Sequence, residues 1–154
     1  MPALNTHDAR ETKALGTALA AQLMPGDVLV LQGNLGAGKS ELARGIARGL
    51  GIKGHVPSPS FTILQVYEDG RLPLYHFDWY RIGSAEELYV LSLDEYLYGE
   101  GVSVIEWPDM AREAVPETHL RISISITGET DRQIAIEPVG GFHTLDEGKL
   151  EAGL

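Results

Sequence analysis

The stretch Gly33-Asn34-Leu35-Gly36-Ala37-Gly38-Lys39-Ser40 constrains this chain more than any other. It fits the pattern G-x-x-x-x-G-K-[ST], follows the apolar run Val28-Leu29-Val30-Leu31 and leads into a helix-like segment. Glycines let such a loop take conformations closed to other residues, so successive N–H groups turn inward and form an anion-binding nest at a helix N-terminus. Lys39 then sets a point charge between β- and γ-phosphates, and the Ser40 hydroxyl can ligate Mg²⁺. A Gly-rich turn with one solvated lysine is the bland alternative. The strand before the loop and the helix after it both count against that alternative.

Around this loop the chain has the length of one compact domain, with 154 residues of which 44% are hydrophobic. The absence of cysteine excludes disulfides, thiolate metal sites and cysteine nucleophiles. No apolar run approaches the roughly 20 residues of a membrane span, and the N-terminus lacks a charged-then-apolar signal layout. A cytoplasmic protein without a membrane partner is expected. The excess of 22 acidic over 12 basic residues, a formal charge of −10, argues against gripping nucleic acid unaided. The bases and potential bases Lys39, Arg44, Arg48, Lys53 and His55 lie close together in sequence, either as a solvated face beside a phosphate pocket or as a docking patch.

Periodicity sets the elements. Asp8 with Glu11 resembles a capping box, Leu15, Leu19 and Leu23 form a stripe, and Pro25-Gly26 ends that helix. Asp27 to Gln32 reads as a buried central strand. Leu42, Ile46 and Leu50 make a second helical stripe that Gly51 ends as a left-handed cap. Pro57 and Pro59 make residues 54–60 an irregular loop. Residues 61–67 and 72–80 read as two strands joined at Asp69-Gly70, with Pro73 marking an edge or a bulge. Ser84 with Glu87 opens a helical region containing Leu88, Leu91 and Tyr96, which Gly99 closes. Residues 102–105 form a second buried-strand candidate ending in Glu106-Trp107-Pro108, and Leu120, Ile122, Ile124 and Ile126 alternate as a half-buried strand paired with 133–137. The expected architecture is α/β: one P-loop NTPase domain over residues 5–138, with a mixed central β-sheet flanked by helices and an antiparallel hairpin at its edge. Residues 139–154 show no pattern and are predicted to fray.

A Mg-nucleotide site needs a carboxylate near the phosphates, usually at the end of a neighbouring buried strand. Glu106 after Val104-Ile105 has that form, with a rim carboxylate as its alternative. Asp78 has two readings: it orients the attacking water or holds a metal-bound water, or it pairs with Arg81 or caps the following turn. Ser60 and Thr62 stand where switch-type NTPases place a γ-phosphate sensor, although isolated Ser and Thr in loops are commoner as turn formers, which is the reading that position alone favours. His76 reads as a hydrogen-bonded core or interface residue rather than a catalyst. Trp107 reads as core packing, or as a contact to nucleotide or partner.

Taken together, Thr12 with Leu15-Gly16, the loop Gly33 to Ser40 with Arg44-Gly45, Ser58-Pro59-Ser60-Phe61-Thr62, His76-Phe77-Asp78-Trp79-Tyr80-Arg81 and Glu106-Trp107-Pro108 resemble one family. It is the bacterial tRNA threonylcarbamoyladenosine biosynthesis ATPase family TsaE, formerly YjeE. The resemblance covers the chain from about Thr12 to Pro138, and its two later motifs are specific where the phosphate loop is not. It implies a P-loop ATPase, taking ATP or ADP with Mg²⁺. Such an ATPase resets or regulates the TsaB–TsaD complex, which transfers a threonylcarbamoyl group to an adenosine of tRNAs reading ANN codons. Contact with tRNA is then only indirect.

Carried onto this chain, Lys39 is the phosphate lysine, Ser40 and Glu106 are the Mg²⁺ ligands, and Asp78 is a further essential acid. The nucleotide is expected on Thr12, Gly36, Ala37, Gly38, Lys39, Ser40, Glu41 and Ser60. Asn34, Ser40 and Ser60 depart from the Asp, Thr and Thr common in the family. No arginine finger stands out, although Arg81 could act in cis, so turnover slow alone and stimulated by partners is expected. A small-molecule kinase and a nucleotide-gated interaction module are the competing functions.

Overall fold

The computed structural model describes residues 3–54, 56, 57 and 62–154. Among these, one mixed sheet contains β1 (Ala3–Thr6), β2 (Val28–Gln32), β3 (Leu64–Tyr67), β4 (Leu74–Asp78), β5 (Val102–Glu106), β6 (His119–Ile126) and β7 (Arg132–Val139). Their order is β1-β7-β6-β2-β5-β4-β3. Strand β2 runs parallel to both β5 and β6, and β5 parallel to β4, whereas β1, β7 and β3 join antiparallel. The helices α1 (Ala9–Ala20), α2 (Lys39–Gly49), α3 (Ala85–Val90) and α4 (Glu147–Ala152) flank it, with 3₁₀ segments at Leu93–Tyr98 and Pro108–Ala114. The fold is mixed α/β, as the sequence implies. Among the described residues, no helix is long and apolar enough to cross a membrane.

Strands β2 and β5 are apolar at nearly every position because both faces of the sheet are covered. Leu29 and Leu31 of β2, with Val102 and Val104 of β5, enter one core together with Leu15, Leu42 and Ile46 from α1 and α2. Val28 and Ile105 enter a second core with Phe77, Trp79 and Leu88 on the opposite face. Alternation then returns in β6, where Leu120, Ile122 and Ile124 are buried and Ile126 is exposed.

Asp8 caps α1 by accepting from the Glu11 amide at 2.9 Å, and Glu11 Oε1 accepts from the His7 amide at 2.8 Å. Helices α1 and α2 approach so closely that a Cβ at Gly45 would lie 2.0 Å from the Lys13 carbonyl oxygen. Into the space so left, the Thr17 hydroxyl donates to the Gly45 carbonyl at 3.1 Å. Absence of a side chain at Gly45 is thus what lets α1 lie against the helix that follows the phosphate loop.

Four features differ from the sequence-based expectations. The hairpin of β3 and β4 is shorter than the apolar runs, and of its two strands only β3 is at an edge of the sheet. Pro73 lies just outside β4, where its carbonyl accepts from the Val102 amide at 2.8 Å, so it neither makes an edge nor interrupts the ladder. The helical region after Ser84 breaks at Ser92, which has φ of 57°, and Leu91 faces solvent instead of the core. Strand β1 has no sequence signal beyond Leu4 and Thr6, because its order comes from pairing with the distant β7.

Residues 139–154, predicted to fray, instead pack. Phe142 and Leu145 join the core under α1 and α2, and Leu150 of α4 is fully buried. Gln22 fixes the start of α4, accepting from the Asp146 amide at 2.6 Å and donating to its carbonyl at 3.1 Å. A six-residue helix with one buried side chain carries no readable period, which is why the sequence conceals it.

Candidate functional site

Parallel pairing explains how residues far apart in sequence meet. Because β2, β5 and β4 are adjacent and parallel, their C-terminal ends share one edge of the sheet. Leu31 pairs with Glu106, and Glu106 with Asp78, so the phosphate loop leaves the sheet beside two acids. In the loop itself, Ala37 donates its amide to the Asn34 carbonyl at 3.0 Å. Gly38 then caps α2 in the left-handed region, with φ of 113°, and contributes no side chain that could satisfy the first-turn amides. Those amides are therefore available to an anion.

Lys39 is only 6% exposed. Its Nζ donates to the Gly33 carbonyl at 2.8 Å and lies 3.6 Å from the centroid of the Trp107 ring. Burial pushes the Lys39 pKa below its ordinary value, and the carboxylates of Glu106 and Asp78 work in the opposite direction. Trp107 holds its place in a left-handed conformation, φ 59° and ψ 54°, that a bulky residue enters at a cost of order 1 kcal/mol. The Tyr80 ring packs against it at 4.9 Å. Trp107 therefore serves the lysine rather than filling the core.

Glu106 and Asp78 are both buried. Nε2 of the buried His76 lies 2.6 Å from Glu106 Oε2 and fixes that carboxylate from behind, so His76 is the hydrogen-bonded interior residue its sequence context suggested. Asp78 Oδ1 accepts from the Tyr80 amide at 2.9 Å, which is the turn-capping role among its two readings and leaves the other compatible. Ser60, Ser58, Pro59, Phe61 and His55 lie outside the described residues.

On the other side of the loop, Thr12, Gly36, Ala37, Gly38 and Glu41 come together around a cavity of about 200 Å³, with Asp8 and Thr130. The Thr12 hydroxyl bonds that of Thr6 at 2.8 Å, and Glu41 holds Arg44 at 2.6 Å. Arg44 also donates to the Val56 carbonyl at 3.1 Å, so it ties the following loop to α2 instead of standing as a solvated base.

Sequence reasoning missed Arg132. From the start of β7 its Nε donates to the Ala37 carbonyl at 2.9 Å and its Nη2 to that of Gly36 at 3.3 Å, while Nη1 donates to the Gly128 and Asp131 carbonyls. The fork thus grips the back of the phosphate loop and ties it to the β6–β7 turn. No local signal marks it, because the contact exists only once β7 and the loop are neighbours in space.

The family model for "Threonylcarbamoyl adenosine biosynthesis protein TsaE" matches residues 6–134. This chain belongs to the TsaE family. The TsaE of Bacillus subtilis (strain 168), described as a tRNA threonylcarbamoyladenosine biosynthesis protein, is 47% identical over 140 residues, covering 91% of this chain and 87% of that one. The protein of the same description from Treponema pallidum (strain Nichols) is 41% identical over 131 residues, covering 85% and 96%. The crystal structure of Bacillus subtilis YdiB superimposes with a TM-score of 0.80 at 43% identity, covering 91% of this chain and 86% of that one. TsaE membership places the chain in tRNA modification, and the phosphate loop is its nucleotide-binding signature.

The donor set in this TsaE chain fits Mg²⁺. Glu106 Oε1 and the Ser40 hydroxyl make no hydrogen bond among the described residues, so two hard oxygens remain available near Lys39. No cluster of three or more His, Cys, Asp or Glu side chains suited to a metal occurs among those residues. So sparse a protein contribution suits Mg²⁺, which takes one or two protein ligands and completes its shell with phosphate and water. Of the departures from the common family pattern, Asn34 acts here through its backbone carbonyl, a role its side chain does not alter.

Proposed function

We propose that this chain binds Mg-ATP and hydrolyses it to reset or regulate the TsaB–TsaD complex in threonylcarbamoyladenosine biosynthesis, meeting tRNA only through that complex. The observation that carries the reading is the buried Lys39 ammonium at the mouth of the phosphate loop, with Glu106 and Asp78 on the adjoining strand ends. Lys39 and the first-turn amides of α2 bind the β- and γ-phosphates. Ser40 and Glu106 hold Mg²⁺, which when bound neutralises charge on the phosphate oxygens. Asp78 orients the attacking water, and His76 keeps the Glu106 carboxylate in place. Phosphoryl transfer depends mainly on positioning and charge, and a group supplied by a partner raises such rates by about 10³ to 10⁵. That magnitude is why partner stimulation is expected.

The test is ADP release by the purified chain with and without TsaB and TsaD. Slow turnover alone and faster turnover in the mixture are expected, with Lys39→Ala losing nucleotide binding and Asp78→Asn losing about a hundredfold or more in rate. Equal rates with and without the partners would remove the regulatory half of the reading. No ADP under either condition would remove hydrolysis.

A further inference from the structure

Three non-glycine residues among those described have a positive φ: Ile63 at 67°, Ser92 at 57° and Trp107 at 59°. Trp107 flanks Lys39, Ser92 breaks the helical region after α3, and Ile63 alone of the three is β-branched. A β-branched side chain favours the extended strand and crowds the left-handed region. The sequence pattern reads residues 61–67 as one strand, yet β3 begins only at Leu64. A conformation so opposed to local preference persists only where its surroundings hold it, and such residues cluster at functional sites.

Backbone hydrogen bonds on either side of Ile63 hold it there. The Leu64 amide donates to the Thr62 carbonyl at 2.7 Å, closing a three-residue γ-turn centred on Ile63, the rare form that needs a positive φ. The Ile63 carbonyl accepts from the Asp78 amide at 2.8 Å, one residue beyond the last pair of the β3–β4 ladder, Leu64 with Phe77. On the other side of β4, the Trp79 amide donates to the Glu106 carbonyl at 3.0 Å. The backbone that carries the buried Asp78 is therefore pinned between the turn before β3 and the end of β5, while its side chain accepts from the Tyr80 amide. The Ile63 side chain packs against the second core, as does that of Leu64.

We infer that Ile63 is a positioning residue for Asp78: its strained turn fixes the end of β4, so that the Asp78 carboxylate keeps one place beside Glu106. The inference rests on the hydrolysis reading above and adds what sets the position of the acid in it. Placement matters because an error of about 1 Å can lower a rate about a hundredfold. An extended Ile63 would carry its carbonyl away from the Asp78 amide and leave that end of β4 held from the β5 side alone. Because Ile63 acts through the Asp78 backbone, its effect falls on the rate and not on nucleotide affinity.

Two proline variants of the full chain remove the turn and two matched variants keep it. In Ile63→Pro the ring forbids a positive φ. In Leu64→Pro the amide that closes the turn is gone, at the first residue of an edge strand, where proline is tolerated. Ile63→Gly and Leu64→Ala remove the same apolar side chains and leave the turn open to the backbone. The readouts are hydrogen exchange of the Asp78 amide by NMR, ADP affinity, and ADP formation in single turnovers with Mg-ATP. Both proline variants should exchange the Asp78 amide about tenfold faster or more and lose about a hundredfold in rate, with ADP affinity within about twofold of wild type. The matched variants should keep that amide protected and the rate within about threefold. Where one proline variant fails to fold, the other decides. A protected Asp78 amide or a wild-type rate in the proline variants would overturn the inference, and equal losses in the matched pair would do so by tracing the effect to packing. Loss of ADP binding in both proline variants would make the turn a requirement of the fold rather than of the rate, which also overturns it. A wild type that forms no ADP would instead overturn the hydrolysis reading, and the positioning role with it.

Discussion

Two cations flank the phosphate loop and do different work. Lys39 lies buried between a carbonyl, an indole and two carboxylates, and the proposed function assigns it the phosphate. Arg132 holds the loop from behind through the Gly36 and Ala37 carbonyls, and orienting those peptide units turns their neighbouring amides toward the anion. Two lost hydrogen bonds at about 1 kcal/mol each would weaken ADP binding by up to about 30-fold in Arg132→Ala. Arg132→Lys should recover little of this, because an ammonium cannot span two carbonyls as the planar fork does. Titration calorimetry with ADP measures both variants, with thermal melting as a check on folding. Unchanged affinity in Arg132→Ala would show that the loop keeps its shape unaided.

At the scale of elements, the packing of α1 on α2 decides whether Thr12 reaches the loop. A Cβ at Gly38 would meet Thr12 Cγ2 at 3.6 Å, which places α1 in direct contact range of the phosphate turn. Gly45 is where helix propensity and packing oppose each other. Propensity favours Gly45→Ala by about 1 kcal/mol in a helix interior. The new methyl would collide with the Lys13 backbone, and overpacking typically costs about 1–3 kcal/mol. Packing should win, lowering the melting temperature by up to roughly 8 °C and weakening ADP binding as α1 moves away. A rise in melting temperature would mean that the helices separate at no cost. The elements were legible where a period persists over two or more turns or several strand positions, as in α1, α2 and β6. They were illegible where one buried residue anchors a short segment, as in β1 and α4.

The whole molecule is organised about a sheet whose parallel centre places the phosphate loop, Glu106 and Asp78 at one edge and whose C-terminal segment packs against α1. Leu150 is fully buried, so Leu150→Ala should cost about 2–5 kcal/mol and lower the melting temperature by several degrees. A frayed tail would give no change, and differential scanning calorimetry separates the outcomes. Charge is also distributed at this scale. The overall −10 combines ion-paired acids such as Glu41 and Glu137 with acids in no ion pair among the described residues, such as Glu86, Glu117 and Glu147.

The sequence by itself determined the phosphate loop, its flanking strand and helix, the second buried strand and the identities of the acids that could serve a Mg-nucleotide. These are local signals, because glycine conformations, caps and apolar periods depend on neighbours within a turn or two. Only the tertiary structure decided that Glu106 and Asp78 stand side by side, that His76 backs Glu106, that Arg132 grips the loop and that the last residues pack. Each of those contacts joins segments distant in sequence through strand register and the burial of both sheet faces. Register leaves no trace in either segment alone.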